Sequence, residues 1–404
     1  MSDPTFLTRV KIKNYKSIAA CDVALGPLNF LVGPNGAGKS NFLDALRFVT
    51  DALTTTLDHA FRNRGRIHEV CSRSSENLVL GLRLEFSLSP GITGHYAFEI
   101  EGRSLGGFAV RTEQCLVRES LGGGHFLDRY YMVESGTPTG TVANLPPASS
   151  DRLYLVTASG LPAFRPVFDA LTRMAFYNVN PDRMREIRPT SAETLLARDG
   201  ASIATVVRHL STNDLPSMLR IQQYLAAAVP GITQVSSKSL EGYETVEFHQ
   251  RGFTGWPKGV RFGVANMSDG TLRALGVLVA LFQSGNDETS QLSLVGIEEP
   301  EAALHPFAVG VLLDALREAS ESTQVLVTSH SPDLLDDPEI GVESLLAVAA
   351  DGGFSIIGPV SEADRSVIRD RLFTPGELLR TDQLLPEPST IERPEMNLFD
   401  TIDA

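Results

Sequence analysis

Cysteine is scarce. The 404-residue chain has three, Cys21, Cys71 and Cys115, far apart and without a C-x-x-C pair. That number and spacing exclude a disulfide framework and a cysteine zinc site, and imply free thiols in a reducing compartment. Long apolar runs are missing too. The longest, residues 274–282, is too short to span a bilayer, so no membrane partner is expected. The first residues lack a charged segment followed by an apolar one, so no secretory leader is expected and the chain is assigned to the cytoplasm. Positive charge is in deficit: 35 Lys and Arg stand against 49 Asp and Glu, a net −14. This balance argues against a nonspecific nucleic-acid coat, which would normally be basic. It leaves room for a local basic groove at Arg62, Arg64, Arg66 and Arg73, or at Arg183, Arg185 and Arg188. The plainer alternative for either cluster is intramolecular ion pairing. No internal repeat and no sustained heptad is present.

Against these absences stands one dense stretch. The apolar run Leu28–Val32 suits a strand buried on both faces. It leads into Gly33, Pro34, Asn35, Gly36, Ala37, Gly38, Lys39 and Ser40, which fit G-x-x-x-x-G-K-[ST] in full. Phe42, Leu43, Ala45, Leu46, Val49 and Leu53 then recur at helical spacing. Strand, glycine loop and helix are the context a phosphate loop requires. Glycines let backbone N–H groups wrap an oligophosphate, and the helix N-terminus adds partial positive charge. Lys39 would reach the β- and γ-phosphates of ATP and Ser40 would ligate Mg²⁺, with Asn41 following in the same turn.

The remainder predicts two or three lobes, drawn as 1–150, 151–240 and 241–404. Alternation at residues 10–13 predicts an edge or half-buried strand. Three antiparallel strands are predicted around Leu78–Phe86, Tyr96–Ile100 and Phe108–Val117, the first two joined by Ser89-Pro90-Gly91. Residues 122–124 and 135–147 read as loops. From 162 to 230 the period becomes helical, with Ser202 a candidate N-cap and a helix over 218–229. Strands resume at 244–250, 260–264, 292–297 and 324–328, and Pro306 suits the first position of a helix. Past residue 341 the chain offers two short strands, a helix near 362–371 and a Pro/Glu-containing tail expected to be mobile.

Several short motifs follow the phosphate loop in a fixed order. Asn266-Met267-Ser268-Asp269-Gly270-Thr271 resembles the signature motif of ATP-binding-cassette (ABC-type) ATPases. Glu298-Glu299-Pro300 resembles the Walker B end, Ala302-Ala303-Leu304 the D-loop, and His330 the switch histidine. With Lys13-Asn14-Tyr15-Lys16-Ser17-Ile18 and the run 299–306, the chain resembles the RecF, SMC and OLD-like branch of that group, from Phe6 to about Leu335. The resemblance implies an α/β fold: an ABC-type head with a mixed or parallel core sheet, an antiparallel β lobe and an inserted helical lobe. It implies Mg²⁺ held by Ser40 and Glu298, Glu299 as the base acting on water, and His330 sensing the γ-phosphate. It also implies ATP-driven dimerisation, with Ser268, Asp269 and Gly270 closing the site of a second copy. Glu298 stands where Asp is usual, and no residue takes the Q-loop role. SMC-length coiled coils are absent, and so is the D-x-D pair of OLD-type nuclease domains. The expected partner is therefore a separately encoded effector, such as a nuclease or toxin, or DNA, in defence or repair. A non-hydrolysing nucleotide-gated scaffold and a transporter ATPase subunit are the alternatives.

Overall fold

The computed structural model describes residues 5–72, 78–89, 91–103, 107–252, 259–283, 291–337, 339–390 and 396–401. Arg73, Pro90 of the predicted turn and residues 391–395 of the tail lie outside the described residues. The chain divides into two compact units, 1–174 with 341–404, and 175–340. These units cut the chain at places other than the three consecutive lobes drawn from the sequence.

In the first unit, β1 (Leu7–Tyr15) and β2 (Ile18–Ala24) form a hairpin, and β3 (Leu28–Val32) runs into the glycine loop. The helix α1 (Lys39–Thr54) follows, then α2 (Leu57–Arg62) and α3 (Ile67–Val70). Next come β4 (Val79–Ser89), β5 (Ile92–Gly102), β6 (Phe108–Gly122), β7 (His125–Glu134) and β8 (Thr137–Gly140). They join the first hairpin in one antiparallel sheet of order β2-β1-β4-β5-β6-β7-β8. β1 is thus half-buried but not an edge, because β4 pairs on its other side. The segments read as loops at 122–124 and 135–147 hold the turns of two further strands. The alternating Leu80, Leu82, Leu84, Phe86, Tyr96, Phe98 and Ile100 are all buried. Phe48 of α1 packs on this face, its ring 6.5 Å from Phe98 and 5.0 Å from Phe61. α4 (Leu155–Ala158) and α5 (Arg165–Thr172) complete the first passage, and β9 (Met174–Tyr177) begins where that passage ends.

The second unit holds α6 (Pro181–Met184), β10 (Arg188–Pro189), α7 (Ile203–Asn213) and α8 (Leu215–Ala228). β11 (Ile232–Leu240), β12 (Tyr243–Gln250) and β13 (Val260–Gly263) form with β10 a small antiparallel sheet. Ser202 precedes α7, yet its hydroxyl does not cap it: Oγ accepts instead from Ala197 N at 2.7 Å. α9 (Asp269–Phe282) is buried along nearly its whole length, as its apolar composition on all sides demands. β14 (Leu294–Glu298), α10 (Pro306–Ser320), β15 (Gln324–Ser329) and α11 (Pro332–Leu335) follow. β14 and β15 run parallel with Glu298 opposite Thr328, so both strands present their C-terminal ends together. Pro306 opens α10 after a capping His305, as its sequence position predicts.

At Gly341 the chain returns to the first unit. β16 (Leu345–Asp351) pairs in parallel with β3, Leu346 opposite Leu31, and β17 (Phe354–Pro359) pairs antiparallel with β16. α12 (Glu362–Arg369) and α13 (Pro375–Arg380) lie beyond them. The tail ends anchored: Leu398 is buried, and Asp400 forms a two-pronged ion pair with Arg83 of β4.

Candidate nucleotide site

In the first unit the glycine loop joins β3 to α1 as expected. A Cβ on Gly33 would stand 2.0 Å from the Val348 carbonyl oxygen of β16, so only glycine lets the loop pass that strand. Gly38 takes the N-cap position of α1 in the left-handed region, φ +108°. Lys39 is the first residue of α1 and is 5 % exposed. Its Nζ donates to the carbonyls of Gly33 (2.8 Å) and Pro34 (3.0 Å), folding the ammonium over its own loop. Pro34, Asn35, Gly36 and Ser40 are exposed while Ala37 is buried, so the outer rim and the Ser40 hydroxyl remain open to a ligand.

The segment 13–18 explains itself through α1. Tyr15 donates to the Asp44 carboxylate at 2.8 Å, and Lys16 pairs with it at 2.6 Å. Arg64, with a side chain 2 % exposed, pairs with Asp44 at 3.0 Å and Asp51 at 2.8 Å. Burial works to raise the Asp44 pKa, but Arg64 and Lys16 outweigh it and hold the carboxyl below its usual range. Asn41 donates to Ser17 Oγ at 2.7 Å, and Ser17 bonds Ser355 of β17 at 2.6 Å. The start of α1 is therefore pinned from two directions.

In the second unit, the carboxylates follow β14. Glu298 Oε1 pairs with Arg198 at 2.9 Å. Glu299 takes φ +45°, its N–H donating to the Thr328 carbonyl at 2.9 Å. Its carboxylate lies 3.1 Å from His330 Nδ1. Glu301 is 7 % exposed and accepts from Ser329 Oγ at 2.5 Å. Ser268 caps α9, its Oγ accepting from Thr271 N at 3.2 Å. Asp269 pairs with Arg185 at 2.5 Å, and Arg185 also donates to the Met267 carbonyl at 2.9 Å. A Cβ on Gly270 would meet the Ala303 carbonyl oxygen at 2.4 Å, so the signature and D-loop segments are in contact.

The metal ligands expected from the sequence, Ser40 in the first unit and Glu298 in the second, are each taken singly. Among the described residues no group of three or more His, Cys, Asp or Glu could hold a metal by itself. Mg²⁺ in phosphate-transfer sites takes one or two protein oxygens and completes its octahedron from phosphates and water. The exposed Ser40 hydroxyl and the Glu298 carboxylate are oxygen donors of that kind.

A family model described as "AAA ATPase domain" matches residues 6–103, and one described as "AAA domain, putative AbiEii toxin, Type IV TA system" matches 145–336. The DNA replication and repair protein RecF of Vibrio vulnificus (strain YJ016) is 51% identical over 41 residues, 10% of this chain and 11% of its own. The chromosome partition protein Smc of Coxiella burnetii is 28% identical over 214 residues, 47% of this chain and 18% of its own. The OLD nuclease of Thermus scotoductus is 46% identical over 43 residues, 11% and 8% of the two chains. An Smc head solved with the C-winged helix domain of ScpA superposes at TM-score 0.55 with 14% identity, covering 89% of this chain and 99% of that one. A second, from Pyrococcus furiosus with the C-terminal domain of ScpA, gives 0.51 with 12% identity, covering 91% and 99%. The chain carries matches to AAA ATPase domain models, is similar over these stretches to RecF, Smc and OLD nuclease, and has the fold of an Smc head. These three curated relatives are matched over less than a fifth of their own length.

Five arginines of the two clusters have intramolecular partners. Arg62 pairs with Asp58, Arg64 with Asp44 and Asp51, Arg183 with Asp199 and Glu186, Arg185 with Asp182 and Asp269, and Arg188 with Glu186. Arg198 and Ser329 carry no sequence signal of their own, and Glu301 stands in the 299–306 run without an assigned role. Each acquires meaning only beside the motif residue it contacts. Among the described residues no helix is long and apolar enough to cross a membrane.

Proposed function

We propose that this ABC-type head binds Mg-ATP through residues 33–40 and hydrolyses it as a dimer that switches an effector or DNA. The observation carrying the reading is the Lys39 ammonium, held on its loop carbonyls at the N-terminus of α1, where phosphate oxygens could take over both hydrogen bonds. Mg²⁺, when bound, neutralises phosphate charge. Glu299 orients and deprotonates the attacking water, and its contact with His330 joins the base to the γ-phosphate sensor. Ser268 and Gly270 of a second copy close the site, and Ser40 and Glu298 hold the metal. Catalysis here is mostly positioning and charge neutralisation. The effector, a nuclease, a toxin or DNA, is chosen by analogy with the branch.

The Glu298–Arg198 pair supports a second reading. A Walker B carboxylate already neutralised in its own chain suits a scaffold that binds nucleotide without turning it over. Phosphate release separates the two. The ATPase reading expects Mg²⁺-dependent turnover that falls about a hundredfold or more in Glu299→Gln, with ATP binding retained. A wild-type chain that binds ATP and releases no phosphate supports the scaffold instead. Equal turnover in Glu299→Gln moves the base to another residue.

A further inference from the structure

Glu301 is one of the few carboxylates buried in the second unit, and no catalytic role has been given to it. It sits in the turn between β14 and α10, which leaves β14 at Glu299 (φ +45°) and bends again at Ala303 (φ +63°). Backbone bonds hold this turn together: Ala302 N donates to the Glu299 carbonyl at 3.2 Å and Leu304 N to that of Glu301 at 3.0 Å. From the turn the Glu301 side chain reaches the end of β15, where Ser329 Oγ donates to its Oε1 at 2.5 Å. Ser329 is fully buried, and the same Oγ accepts from Ser331 N at 3.0 Å. His330 lies between these two serines and contacts Glu299 at 3.1 Å. The second Glu301 oxygen, Oε2, is buried and has no hydrogen-bond partner among the described residues. Burying a carboxyl with one oxygen unsatisfied costs stability.

We propose that Glu301 is a positioning residue: through Ser329 it ties the 329–331 segment to the 299–304 turn and fixes the Glu299–His330 pair in register. The proposal rests on the ATPase reading above. A closed loop of contacts runs from Glu301 through Ser329 and Ser331 to His330, Glu299 and back along the turn. Gly270, packed on the Ala303 carbonyl, extends it to the signature helix. Loosening the serine link frees His330 to swing from the γ-phosphate. ATP then loses affinity, while ADP, which has no γ-phosphate, does not.

The test is the ratio of affinities for fluorescent ATP and ADP analogues, measured with Mg²⁺ on wild type, Glu301→Gln, Glu301→Ala and Ser329→Ala, with thermal melts alongside. Ser329→Ala and Glu301→Ala are each expected to lower the ATP-over-ADP preference about tenfold, the effect of one lost buried hydrogen bond. ADP affinity should stay unchanged, and the double variant should be no worse than either single one. Glu301→Gln keeps an oxygen that can accept from Ser329 and is expected to stay within about threefold of wild type. A Ser329→Ala chain with the wild-type preference overturns the proposal. So does Glu301→Gln failing as badly as Glu301→Ala, which makes the charge itself the requirement. If Glu301→Ala loses its fold, the other two variants decide. A wild-type chain that binds neither nucleotide overturns this proposal and the ATPase reading together. A discriminating wild type with an equally discriminating Ser329→Ala overturns only this one.

Discussion

Lys39 makes two bonds to carbonyls of its own loop and is nearly buried, so its removal does two separable things. Lys39→Ala deprives the phosphates of a charged donor, and ATP affinity is expected to fall by about ten- to a hundredfold. It also leaves the Gly33 and Pro34 carbonyls without that donor, a stability loss of roughly 1 kcal/mol that a melt can follow. Calorimetric titration with ATP is the deciding measurement, and wild-type affinity would remove Lys39 from the phosphate site. The strand, loop and helix around Lys39 were legible in the sequence because a G-x-x-x-x-G-K-[ST] run between an apolar strand and an amphipathic helix fixes residue type and spacing locally. Arg198 was not legible, because its partner Glu298 lies far along the chain and no local pattern encodes the pair. The same holds for Ser17 and Ser355, joined across most of the sequence.

Whole elements were legible in proportion to how strictly they alternate. β4 and β5 carry large apolar side chains at alternate positions, Leu80 to Phe86 and Tyr96 to Ile100, and announce themselves. β7 buries only Tyr131 and Val133 and exposes His125, Phe126 and Leu127, so the period-2 signal fails. β11, with Ser236, Ser237 and Lys238 in its middle, fails for the same reason. β7 is held by its ladder with β6 and by one buried residue of that strand. The buried Glu113 carboxylate accepts from Tyr96 of β5 (3.1 Å), Tyr131 of β7 (2.8 Å) and the N–H groups of Tyr154 (2.5 Å) and Leu155 (2.7 Å) at the start of α4. Burial pushes its pKa up to about 7 from 4.5, against the pull of these donors. A raised carboxyl favours the folded state fully below the unfolded value, and that contribution is lost as pH climbs from 4.5 to about 7. Glu113→Gln should abolish this part of the pH dependence of melting. It should also lower the melting temperature throughout, because one amide N–H2 must face a backbone N–H, costing about 1–3 kcal/mol. Parallel melting curves for both proteins across that range would deny Glu113 the role.

For the molecule as a whole, the proposal of a composite site makes a prediction that no single chain can satisfy. Lys39→Ala and Ser268→Arg should each be nearly inactive as homodimers. In a mixed dimer both defects gather in one site and the other keeps an intact Lys39 and an intact Ser268. Phosphate release should then reappear in heterodimers purified through two different tags. A verified heterodimer that neither closes with ATP nor turns it over would end the two-copy model. The return of the chain to the first unit at 341 carries no local sequence signal, because composition changes little there and the β3–β16 pairing is non-local. β3, which carries the loop, takes β16 as its parallel neighbour, and the loop glycines lie against Val348 and Ser355. That arrangement has a consequence for the newborn protein. The ribosome delivers the loop early and its supporting strands about 300 residues later. At ordinary elongation rates the wait is on the order of 15–60 s. During synthesis the loop lacks the wall that shapes it, and a nascent chain should acquire nucleotide only after β16 and β17 have emerged and paired.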